Sequence, residues 1–211
     1  MFKRLHFLAV AGALSLLLTV APLTAAERDS DGTSTFTMVV SAGAKACIQN
    51  ASATVSIRPA GQVEIMDVSV QGLPPNTEFD FFVIQVPKAP FGVSWYQGDV
   101  QTDKHGRGHQ QFVGRFSIET FTVAPNSAPA PVVFAGGAFP DASLNPPFNP
   151  VQMYHLGLWF GSPQAAQAAG CPATVTPFNG EHNAGIQAMN TSNFPDDHGP
   201  LRNVNPSAVK P

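Results

Sequence analysis

The histidines have the most chemistry to offer. Beyond the first segment they are His105, His109, His155, His182 and His198. Imidazole holds copper or zinc where three or four ligands converge, usually from short, recognisable spacings. His105 and His109 flank a glycine-bearing turn and can face each other across a hairpin, so with His155 and His182 they form the candidate metal set. The chain has no HxH and no HExxH, so its spacing specifies no metal and no cofactor is expected. Asp80 is the most unusual acid, set among Phe79, Phe81, Phe82 and Val83. Strand alternation sends it to the outer sheet face, in solvent; if buried, it is an acid of raised pKa. Gly92-Val93-Ser94-Trp95-Tyr96 begins like a nucleophile elbow but lacks the closing glycine and a following helix, so no catalytic residue is assigned. Glu27-x-Asp29-x-Asp31-Gly32 begins like a calcium loop, but its twelfth position is Met38 where a bidentate Glu is required.

The aromatic residues suit ligand binding better. Phe91, Trp95 and Tyr96 follow a proline-rich loop, and Trp159 lies on a late strand. An exposed Trp or Tyr stacks on a sugar ring or anchors a protein interface. These four are the candidate ligand-binding residues.

Short strands must position these groups. Thr35 to Val40 and Ala53 to Ile57 alternate polar with apolar, as half-buried strands do. Val63, Ile65, Val68 and Val70 change parity, which predicts a bulge near Met66-Asp67. Glu78 to Val86 is rich in aromatic and β-branched residues and reads as a central core strand. Val93 to Thr102 and His109 to Phe116 flank the Asp103 to Gly108 turn as a hairpin, and Met153 to Phe160 is the last clear strand. Ala124 to Pro131 reads as a linker and Gly136 to Pro150 as a long irregular loop. Pro163 to Ala169, with Pro at its start and Gly170 past its end, is the helix signal. The expected fold is all-β: an antiparallel β-sandwich, immunoglobulin-like or Greek-key, with one short helix and long Pro/Gly loops. A small barrel is the runner-up. The β-sandwich domain is expected over 27–176 and an extended C-terminal segment and tail over 177–211.

The N-terminus predicts the compartment. Lys3 and Arg4 precede an apolar run from Phe7 to Leu23, small residues at Thr24-Ala25-Ala26, and then the charged Glu27-Arg28-Asp29. That order is a cleaved signal peptide over 1–26, which implies secretion to the periplasm or the extracellular space. Cys47 and Cys171 are the two cysteines, and in an oxidising compartment they are expected to pair. The 211-residue chain has 11 Lys+Arg against 14 Asp+Glu; without Lys3 and Arg4 the balance is nine against fourteen, a net charge of about −5. Nucleic acid is therefore not an expected partner. No later stretch is long and apolar enough to span a bilayer.

The stretch Val70-Gln71-Gly72-Leu73-Pro74-Pro75, its following hydrophobic strand and Gly98-Asp99 loosely resemble copper–zinc superoxide dismutases and the chordin-type repeat. The dismutase's metal-binding histidines fall at Phe79, Phe81, Phe82 and Val83 here, so only a sandwich-like strand pattern carries over. Leu73-Pro74-Pro75-Asn76-Thr77-Glu78-Phe79-Asp80 and Phe178-Asn179-Gly180-Glu181-His182 resemble secreted bacterial β-sandwich proteins of unknown function. The expected function is a non-enzymatic secreted module that binds a protein or polysaccharide at the cell surface. The alternatives are a secreted metalloprotein or hydrolytic enzyme, and a structural envelope protein. N-terminal sequencing of the exported protein is expected to begin at Glu27; an intact Met1 in the exported form rules the leader out.

Overall fold

The computed structural model describes residues 27–123, 150–178 and 182–206. The expected leader over 1–26, the linker from 124 and the loop over 136–149 lie outside the described residues. The strands are β1 (Glu27–Arg28), β2 (Ser34–Val40), β3 (Ser52–Ala60), β4 (Val63–Gln71), β5 (Glu78–Ile84), β6 (Ser94–Gln101), β7 (Gly108–Gly114), β8 (Phe121–Val123), β9 (Pro150–Gln152), β10 (His155–Phe160), β11 (Thr176–Pro177), β12 (Asn183–Ala184) and β13 (Gln187–Asn190). The fold is all-β and antiparallel, with the single short α-helix α1 (Pro163–Ala168) among the described residues.

The main sheet runs β6-β5-β10-β13-β2-β3-β4-β7. Pairing of β13 with β2 joins its two halves. Inward residues of both halves meet in one buried cluster: Phe36, Val55, Ile57, Met66 and Val68 from one, Phe79, Phe81, Leu156, Leu158 and Phe160 from the other. Burying each such side chain contributes about 1.5–3 kcal/mol. The expected layered packing is therefore present, built from one sheet that curls nearly into a barrel.

The curl stops short at β6 and β7. These strands are joined by the Asp103–Arg107 turn, and Thr102 opposite Gly108 is the one bridge between them among the described residues. Beyond it a side chain seals the gap. Phe112 of β7 stacks on Phe81 of β5, with ring centroids 5.2 Å apart and planes 10° apart. The ring passes over Gly98 of β6, where a Cβ would lie 3.0 Å from Phe112 Cε1. Gly98 also has φ +141, which an L side chain rarely adopts.

The bulge expected near Met66-Asp67 is not there: β4 pairs with β3 in continuous register from Val63 to Gln71. Met66, Val68 and Val70 face the core, and the inward position before them belongs to Glu64. That buried carboxylate accepts the Phe116 N–H at 2.9 Å and faces Arg115 at 3.5 Å, so a polar residue holds a core slot and breaks the apolar pattern. Register shifts occur instead between Phe81 and Phe82 against β6, and between Leu158 and Trp159 against β13.

Helix α1 starts as its sequence suggests. The Ser162 hydroxyl accepts the Ala165 N–H at 3.1 Å, and Pro163 opens the first turn. Cys171, just past the helix, is disulfide-bonded to Cys47, with Cα atoms 5.2 Å apart and 124 residues of separation. The stretch past Pro177, read from sequence as an extended segment and tail, lays β13 between β10 and β2. His155 fastens the chain beyond β13. Its Nδ1 accepts the Thr191 hydroxyl at 2.9 Å, and its Nε2–H faces the Pro195 and Asp196 carbonyls at 3.2 Å each. Burial lowers its pKa to about 4, so the ring is neutral at ordinary pH. The buried neutral ring therefore contributes stability above 6.5, its ordinary value, and that contribution is lost as pH falls toward 4.

Gly98→Val is expected to lower stability by about 2 kcal/mol or more, because it strains the backbone and displaces Phe112. Urea unfolding measures this, and a loss under about 0.5 kcal/mol, the range of an ordinary surface change, rejects the Phe112 seal.

Candidate functional site

In β5 and β10 the residues that point away from the main core meet a second apolar layer. Phe82, Ile84 and Trp159 project outward, and the β11–β12 hairpin covers them with Phe178 and Ala184. Trp159 lies across Gly157, which a Cβ would obstruct. Phe82 and Phe91 contact Trp159 edge-on at 5.1 and 5.0 Å, and Phe178 contacts Tyr96 at 4.8 Å.

Asp80 belongs to this outer face. Alternation points it outward as expected, yet it is not in solvent: its side chain is only 2% exposed. Burial raises its carboxyl to about 6, and the nearby charges of Asp99 and Glu78 push the same way. His182 opposes the shift, with Nε2 at 3.4 Å from Asp80 Oδ2. Glu78, Asp80 and Asp99 each place a carboxylate oxygen within 4.8 Å of the others. Asp80 and Asp99 are cross-strand partners, which fixes that proximity. The Tyr96 hydroxyl donates to Asp99 Oδ1 at 2.6 Å. Desolvation, and then that carboxylate, raise the Tyr96 pKa. The ensemble gathers three carboxyl groups beside an aromatic ring, with the His182 ring against the buried one.

The four predicted metal-site histidines are placed apart. His105 sits exposed in the β6–β7 turn. His109 is exposed on β7, 3.4 Å from Asp67 Oδ1. His155 is in the core, and His182 is at Asp80. Among the described residues, the group of three or more potential ligands that the fold gathers is the Glu78–Asp80–Asp99 set, which includes none of these histidines.

The predicted ligand-binding residues divide. Trp159 is 4% exposed and belongs to the second layer, with Phe91 half-buried against it. Trp95 is 66% and Tyr96 40% exposed. The two point to opposite faces of β6. Tyr96 pairs with Phe82 and touches its ring on the outer face; Trp95 pairs with Val83, whose side chain enters the main core. Sequence reasoning missed Glu78, Asp99 and Phe178. For Asp99 a signal existed: it lies on the strand that pairs with the one carrying Asp80.

A groove of about 920 Å³ lies elsewhere, between α1 and the Gly72–Thr77 turn, with Ala165, Ala169, Leu73 and Pro75 in its wall and Glu78 at its margin. No protein-family model matches the chain, and no curated protein matches it in sequence.

Asp80 gives a pH signature. A folded pKa above the ordinary 3.8 means a contribution present below 3.8 and lost as pH rises through about 6. Asp80→Asn has no charge to bury. Relative to the parent it is expected to gain about 2 kcal/mol in stability between pH 3.5 and pH 7.5. Urea unfolding at both pH values tests it, and a pH-independent difference contradicts the buried-acid assignment.

Proposed function

We propose that the chain is an exported, non-enzymatic module that binds a protein partner at the cell surface through β6. Export is supported by the order of residues over 1–26 and by the Cys47–Cys171 disulfide. No helix among the described residues is long and apolar enough to cross a membrane.

The observation that carries the binding reading is the placement of Trp95 and Tyr96, both exposed, on opposite faces of one strand. Trp and Tyr dominate protein hot spots. A sugar chain stacks on rings that share a face, and these two share none. A protein segment lying along β6 sends side chains to both faces and meets both rings. The polysaccharide reading therefore lacks a common platform here. Asp80, the buried acid of the Glu78–Asp80–Asp99 cluster, is covered by the second layer and out of a substrate's reach.

Affinity capture from the cell-envelope fraction, with a glycan array in parallel, tests this reading. Trp95→Ala is expected to weaken retention of the captured protein about tenfold. Val175→Ser, which removes another exposed apolar group, is expected to leave it unchanged. Trp95-dependent binding to glycans with no protein retained returns the polysaccharide reading to first place.

A further inference from the structure

β6 is an edge strand in its backbone. One side pairs with β5 from Ser94 to Gln101. Among the described residues the other side makes no backbone hydrogen bond until Thr102 meets Gly108. Among the described residues the far side of β7 likewise makes no backbone pairing past Gly108. The seam is closed by the Phe112 ring from within, so among the described residues the main-chain groups on that side of β6 have no backbone partner. Such a row is a template for another extended backbone, and proteins usually blunt it with Lys or Pro. β6 reads SWYQGDVQ and has neither. Its protection is the register shift opposite Phe81 and Phe82, which divides the edge into short runs on either side of Gln97.

Resting on the reading of β6 as a protein-binding strand, we propose that the partner docks by strand addition: an extended peptide segment pairs with the open edge of β6 and carries Lys or Arg opposite Asp99. Charge selects this occupant. On the outer face, an added strand places one side chain beside Asp99, with Asp80 and Glu78 gathered behind it and the Tyr96 ring alongside. A cation there meets carboxylates and an aromatic face together. On the other face a side chain about three residues further along the added strand meets Trp95, which favours an apolar residue there. A second copy of this chain fits poorly, because pairing β6 with itself brings two such acidic sets onto one outer face.

The test is selection of a phage-displayed library of random ten-residue peptides on the purified, exported full chain. Enriched peptides are expected to alternate apolar with polar residues and to carry Lys or Arg among the polar ones. Trp95→Ala is expected to weaken them about tenfold. Selection on Asp99→Asn is expected to lose the Lys/Arg preference while keeping the alternation. N-methylation at successive peptide positions is expected to alternate between about tenfold loss and no effect, because every second N–H points to β6. Trp95-dependent peptides without that alternation leave the protein-binding reading standing and overturn strand addition. Alternating peptides without a basic residue overturn the charge assignment. Failure to enrich any peptide, or Trp95-dependent binding of glycans alone, overturns both readings.

Discussion

Strands β5 and β10 are buried on both faces, and the distinguishing features of this molecule depend on that. A strand with one wet face can place acids there at little cost. Here the inner face enters the main core and the outer face enters a second layer of Phe82, Trp159, Phe178 and Ala184. An Asp at an outward position is therefore desolvated without leaving the surface side of the sheet. The desolvation of the Asp80 carboxyl and its contact with His182 are consequences of the short β11–β12 hairpin lying over the sheet, while its crowding by Asp99 comes from β5–β6 pairing.

The second layer ends at β6, and so does the protection. Phe178 packs on the near side of Tyr96, but the next ring along, Trp95, projects to the other face and is left uncovered. The main core reaches across the same boundary through Phe112, which needs the bare backbone of Gly98. Two apolar layers thus stop at one strand. Closure there depends on a ring stacked on a ring rather than on a ladder of amides, so the strand addition proposed for β6 does not require the fold to open.

Much of the fold was legible in the sequence. The alternation over β2 and β3, the run of β5, the strands β6 and β7 with the turn between them and the Pro-to-Gly helix signal all correspond to observed elements, but β6 and β7 pair with β5 and β4 rather than with each other as a hairpin. The cysteine pair was readable from number alone. Two features were hidden because their patterns are too short or are interrupted by polar residues. β13 is four residues with no alternation, and it is specified by the gap between β10 and β2 rather than by its own sequence. Glu64 occupies a core position, so the apolar parity of β4 looked broken where the strand is regular. At the site, the direction of Asp80 was correct and its burial was not, because no periodicity announces a two-residue strand arriving from a hundred residues downstream. The exposed Trp95 and buried Trp159 carry the same residue type on strands separated by β5, and only the face each enters and the tertiary cover there distinguish them.

The position of β13 in the chain also bears on assembly. Chains leave the ribosome or a translocation channel N-terminus first. β2, β3 and β4 are successive neighbours and can pair as they emerge. The strand that couples their half to β10 is Gln187–Asn190, which emerges after β10 itself. Cys171 emerges before it, so an oxidant meets the cysteine pair while the sheet is still two pieces. Joining of the two halves thus waits for β13, and a chain cut before Gln187 leaves two half-sheets with their central seam unfilled.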